Sequence, residues 1–128
     1  CIIDLDTLMP GYFISDLGDM MRTYLCPFSE KEEDLSKIVV RPSFYYAIVE
    51  GYYKEMKNEL TAVEKNYFFY AAQFMIYMQA IRFLTDYFND DKYYQIGYKT
   101  HNLVRAINQT VLLERLMDHE VEFKKVKL

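Results

Sequence analysis

Apolar positions divide this chain into one short run at its start and four stretches with the spacing of helices. Cys1 to Leu5 is apolar until it ends in acid, which predicts one strand of a small sheet. Leu8-Met9-Pro10-Gly11 predicts a turn. Ser15 has the chemistry of an N-cap for a helix running to about Leu25, with Asp16 and Asp19 expected in its first turn, where the helix dipole favours carboxylates. Ser29 to Asp34 is a charged run that predicts a solvated connector, and Ser29 and Glu32 have the spacing of a capping box. After Pro42-Ser43 a second helix is expected, with Phe44, Ile48, Tyr52 and Met56 along one face.

Thr61-Ala62-Val63-Glu64 is another capping box, and it predicts the start of the longest helix, ending near Phe88. Its apolar positions, among them Phe68, Ala72, Met75, Ile76, Ala80 and Phe83, go nearly all the way round, as expected of a buried central helix. A membrane span is excluded because Gln73, Gln79 and Arg82 interrupt the run before the ~18 apolar residues that a span requires. Asn89-Asp90-Asp91 ends the helix, a tyrosine-rich loop follows, and a last helix is expected from about Asn102 to His119 before a lysine-rich end. The fold class is therefore mainly α: about four helices plus an N-terminal strand stub.

Composition narrows the function. A chain of 128 residues, 52% apolar and carrying 13 Tyr and 9 Phe, has the makings of a single domain with a real core. Fifteen Lys and Arg against nineteen Asp and Glu give a net charge of −4, and no basic stripe is present, so a nucleic-acid partner is not expected. Cys1 and Cys26 cannot form a disulfide framework and read as reduced thiols in a cytoplasmic protein. Cys26 is followed directly by Pro27, which does not fit the Cys-x-Pro-x-Arg signature of sulfatases; a packed free thiol is expected. His101 and His119 have no partner at metal-ligand spacing, so His101 is expected to start a helix and Arg105, one turn on, to be a structural or rim charge. The four glycines are scattered and build no phosphate loop. The first residue already lies in the predicted strand, which we read as a chain cut inside it, and so as a piece of a longer protein.

Asp4 and Asp6 at the end of that strand suit a hard cation such as Mg²⁺, although their spacing alone equally describes two surface carboxylates. Their context carries more. Cys1-Ile2-Ile3-Asp4-Leu5-Asp6-Thr7, then Met9-Pro10-Gly11, then Ser15-Asp16-Leu17-Gly18-Asp19-Met20-Met21-Arg22 resembles the distal part of the aminoglycoside/choline phosphotransferase superfamily, whose fold is kinase-like. Tyr77 to Tyr87 (YMQAIRFLTDY) and His101-Asn102-Leu103-Val104-Arg105 resemble the N-acetylhexosamine 1-kinases within it, cytosolic enzymes that phosphorylate the anomeric hydroxyl of GlcNAc or GalNAc. The resemblance runs from Cys1 to about Leu116.

It implies that residues 1–128 are the C-terminal helical subdomain of a sugar kinase using ATP and Mg²⁺. Asp4 would be the metal ligand bridging the β- and γ-phosphates, with Asp6 assisting. Asp16 would accept hydrogen bonds from the catalytic-loop backbone, or simply serve the helix N-terminus. Arg82 and Tyr93 would contact the sugar. Without the resemblance, Arg82 reads equally as an ion-pair partner of Asp86 at i+4, and Tyr93 as one tyrosine among thirteen. An arginine in the pocket disfavours the cationic acceptors choline and aminoglycosides. The nucleotide lobe and the His-x-Asp catalytic loop are not within these residues, so no catalytic residue is assigned, and kinase activity is not expected of this polypeptide alone. Self-association through an uncovered strand edge and tyrosine-rich helix face is expected. The alternatives are a non-catalytic all-α interaction module, or a phosphotransferase of the same superfamily with another small hydroxyl acceptor.

Overall fold

The computed structural model describes residues 9–126. The predicted strand, with Asp4 and Asp6, lies outside the described residues. Those residues form an all-α fold with no strand: α1 (Phe13–Tyr24), α2 (Pro42–Met56), α3 (Phe68–Phe88), α4 (His101–Asp118) and a short α5 (Glu120–Phe123). Two 3-10 turns, Leu35–Lys37 and Glu64–Tyr67, punctuate the connections. Among the described residues no helix is long and apolar enough to cross a membrane.

Leu17 and Met21 repeat at i, i+4 and bury α1 against α3, with Leu25 continuing the row just past the helix. Ser15 is not the N-cap. α1 begins two residues earlier, at Phe13, and the capping position falls on Tyr12, which makes no side-chain bond. Packing sets this start: the Phe13 ring lies 5.7 Å from Phe68 and 6.5 Å from Tyr52. Phe13 is half-buried against the core, and its aromatic contacts outweigh what a serine cap would add. Asp16 stays in the first turn, whereas Asp19 moves to the second and pairs with Arg22 at 2.8 Å.

The connector to α2 is less solvated than its charge implies. Leu25, Cys26, Ile38 and Val40 are buried within it, and Glu30 is drawn inward. Ser29 and Glu32 form no capping box. Ser29 accepts the Glu32 N–H through its carbonyl, and Asp34 caps the following 3-10 turn by accepting from the Ser36 N–H at 3.1 Å. α2 starts with Pro42 in its first turn, and Ile48, Tyr52 and Met56 pack half-buried on the core as expected, but the most buried line lies one residue on from that face. Tyr45 and Val49 are buried while Phe44 is 40% exposed, beneath the Arg41 guanidinium. The reason is α5, which folds the chain's end back so that Phe123 stacks on Tyr45 at 3.9 Å.

Thr61 and Glu64 do form the reciprocal capping box: the Glu64 carboxylate accepts the Thr61 N–H at 2.7 Å, and the Thr61 hydroxyl accepts the Glu64 N–H at 3.2 Å. It opens the 3-10 turn that leads into α3. α3 is central, packed between α1 and α4, yet it is not buried all round. Phe69, Ala72, Ile76, Ala80 and Phe83 face inward, whereas Tyr70, Tyr77, Met78 and Ile81 are exposed. Gly18 of α1 sits against the Ala71 carbonyl and the Met75 side chain, where a Cβ has no room. α4 begins at His101 and ends at Asp118, within a residue of expectation.

Candidate functional site

The last turn of α3 and the loop after it form an open cleft of about 310 Å³, lined by Ile81, Arg82, Thr85, Asp86, Asn89, Tyr93 and Tyr94. Helical geometry puts Arg82, Thr85 and Asp86 on one side of α3, and the loop must then reverse to reach them. The reversal is a left-handed helix end. The Asp91 N–H donates to the Asp86 carbonyl at 2.8 Å, the six-to-one bond of a Schellman motif, and Asp90 and Asp91 have φ of 61° and 53°. Aspartate tolerates this region better than most residues because its short polar side chain bonds locally.

The structure brings Arg82 and Tyr93 together. An Arg82 terminal nitrogen donates to the Tyr93 hydroxyl at 3.5 Å, and the guanidinium carbon lies 5.6 Å from the ring centres of both Tyr93 and Tyr94. Among the described residues no carboxylate lies within ion-pair distance of Arg82, so the Asp86 pairing weighed from the sequence is not made. Tyr93 is 74% exposed. Tyr94 is half-buried: its hydroxyl accepts from Gln79 at 3.1 Å, its ring meets Phe83 edge-on at 4.8 Å, and the Arg105 guanidinium lies 5.1 Å from its centre.

Asp86 is engaged elsewhere. One carboxylate oxygen accepts the Tyr93 N–H and the other the Tyr94 N–H, both at 2.8 Å, and the second also accepts from the Asn102 amide at 3.0 Å. Burial pushes its pKa up, but the N–H groups of Tyr94, Tyr93 and Lys92, with the Asn102 amide, outweigh burial and hold the carboxyl below its ordinary pKa. Asn102, fully buried, also donates to Asp91 at 2.9 Å and accepts from Arg105 at 3.0 Å. Arg105 is then paired with Glu30, and Glu30 with Arg22 at 2.8 Å, so a polar chain runs from the cleft to α1. Arg105 is accordingly a structural charge, stacked 3.8 Å over the Phe83 ring centre.

Of the other residues singled out from the sequence, those that are described do not line this cleft. Asp16 is exposed on α1, makes no hydrogen bond with any described residue, and faces the Tyr52 phenol closely enough to add to the upward push that burial exerts on it. His101 does start α4; its Nδ1 accepts the Gly97 N–H at 3.0 Å and its ring stacks on Tyr98. His119 pairs with Glu122 at 3.2 Å. Cys26 is a buried free thiol whose sulfur accepts the Phe28 N–H at 3.4 Å. Among the described residues no three His, Cys, Asp or Glu side chains gather as a metal site would require.

Sequence reasoning missed Asp86 as an anchor, Tyr94 as part of the wall, and Asn102 as the bridge between them. The signal was present for one of the three. Asp86 falls in register with Ile76, Ala80 and Phe83 on the inward face of α3, and a carboxylate in an apolar stripe must be satisfied by donors from elsewhere. Chemically, the cleft offers two aromatic rings, a charged multidentate donor and hydroxyls, while its acid has both oxygens occupied. No protein-family model matches the chain.

Proposed function

We propose that this chain is the acceptor-binding, C-terminal helical part of an ATP- and Mg²⁺-dependent kinase that phosphorylates the anomeric hydroxyl of an N-acetylhexosamine. The observation that carries the reading is the state of Arg82: a guanidinium unpaired with any described carboxylate, lying beside two tyrosine rings at the mouth of an open cleft. A neutral sugar presents hydroxyl oxygens to a guanidinium and C–H faces to aromatic rings, and both surfaces are offered together here. The same guanidinium repels a cationic acceptor, so choline and aminoglycosides fit less well. An interaction module would have no need of an unpaired charge in a cleft. The sequence blocks around Arg82 and Arg105, which resemble the N-acetylhexosamine 1-kinases, support the same conclusion independently.

In this reading Asp4 and Asp6 would hold Mg²⁺, which neutralises charge on the phosphates during transfer. The cleft's own contribution is orientation: Arg82 and the Tyr93 hydroxyl fix the sugar's rotation, and the rings fix its plane. Calorimetry of N-acetylglucosamine binding to the 128-residue chain tests it. We expect millimolar affinity, weakened about tenfold or more in Arg82→Ala, the loss of a charge-assisted hydrogen bond. Equal affinity of the wild-type and Arg82→Ala chains, or no binding by the wild type, would overturn the proposal.

A further inference from the structure

We infer that Asp86 is the positioning residue of the cleft: its carboxylate holds the backbone of Tyr93 and Tyr94 so that both side chains face Arg82. The inference rests on the sugar-binding reading for its consequence, though not for its geometry. The segment between α3 and α4 has no regular secondary structure, and fixing such a backbone costs conformational entropy at every residue. Something must hold the two residues that matter to the cleft. Both of their main-chain N–H groups are donated to Asp86 at 2.8 Å. Two consecutive N–H groups pinned to two oxygens of one planar group leave the intervening peptide little freedom. The side chains diverge from it, Tyr93 outward and Tyr94 inward, with their rings 4.8 Å apart and nearly perpendicular at 80°.

The carboxylate itself is held. Asp86 is only 5% exposed, and the Asn102 amide spans it and Asp91, so the helix end and the loop share one donor. A residue serving only to end α3 would need neither contact with Tyr93 nor contact with Tyr94, because the Schellman bond is made by main-chain atoms. Asp86 therefore acts on the cleft through the two tyrosines and does not itself touch the sugar.

The test is Asp86→Asn, which keeps the shape but replaces one acceptor oxygen by a donor facing a main-chain N–H. Val49→Ala, in α2 and away from the cleft, is the control for general destabilisation. In Asp86→Asn we expect hydrogen exchange at the Tyr93 and Tyr94 amides to accelerate at least tenfold more than at the Leu17 and Ile76 amides, and N-acetylglucosamine affinity to fall about tenfold. In Val49→Ala we expect no selective change at the two tyrosine amides and unchanged affinity. Retained protection of Tyr93 and Tyr94 in Asp86→Asn, or lost protection with affinity intact, would overturn the inference. If the wild-type chain binds no sugar, the sugar reading falls while the exchange result still decides whether Asp86 holds the loop. Should Asp86→Asn fail to fold, scalar coupling across the hydrogen bonds, from the Tyr93 and Tyr94 amide nitrogens to the Asp86 carboxyl carbon, is expected in the wild-type chain; its absence would refute the clamp.

Discussion

A carboxylate held in place by hydrogen-bond donors loses that hold when it is protonated, and Asp86 is not the sole carboxylate so held. Asp34, Glu64 and Glu122 also have pKa values below the ordinary ones, held by Ser36, by Thr61, and by Tyr46 with His119, respectively. The sign follows from linkage: a folded-state value below the unfolded one means that the unfolded chain binds protons more readily as acid is added. The stability from these four groups is therefore fully present above the ordinary carboxylate range, and is lost as pH falls through their lowered folded-state values. We predict a melting temperature nearly constant between about pH 7 and pH 5.5 and falling steeply below about pH 4, with the Tyr93–Tyr94 loop loosening in the same range. A melting temperature that rose on acidification, measured by circular dichroism, would contradict these assignments.

At the scale of elements, the helices were legible wherever local chemistry and tertiary packing agreed. Thr61 and Glu64 cap as their spacing says, Pro42 falls in the first turn of α2, and Asn89 to Asp91 stop α3. Ser29 and Glu32 fail for a local reason, because Asp34 caps the turn instead; the other differences come from contacts distant in sequence. Ser15 yields to Phe13, whose partners are in α2 and α3, and the face of α2 turns toward Tyr45 because Phe123, near the other end of the chain, stacks there. Gly18 is the opposite case. A lone glycine in a helical pattern costs about 1 kcal/mol against alanine and signals a close approach. Here it lets α1 meet the backbone of α3 at Ala71. Gly18→Ala gains helix propensity but must push two helices apart, so we predict a net loss of about 2–3 kcal/mol in urea unfolding. A neutral or stabilising Gly18→Ala would mean that α1 and α3 are not in contact at this point.

Over the whole molecule, the cleft is joined to the fold by the run of partners from Asp86 through Asn102 and Arg105 to Glu30 and Arg22, which ties the Tyr93–Tyr94 loop to α4, the connector and α1. From the sequence, Arg82 and Tyr93 could be named together only through resemblance, since eleven residues of helix end and loop separate them and no periodicity predicts their meeting. The supporting residues were hidden for a further reason: a buried Asp or Asn announces that it needs partners but not which ones. The exposed side of α3 was likewise concealed, because an apolar stripe gives no sign of whether a neighbour covers it. The central claim is that a sugar sits between Arg82 and the two tyrosines, and the most direct measurement is a nuclear magnetic resonance titration of the isotopically labelled chain with N-acetylglucosamine. We expect saturable shifts at the Arg82 Nε–H and at the Ile81, Tyr93 and Tyr94 signals, with those of Tyr45 and Phe123 unmoved. Shifts confined to other parts of the molecule, or none at saturating sugar, would contradict it.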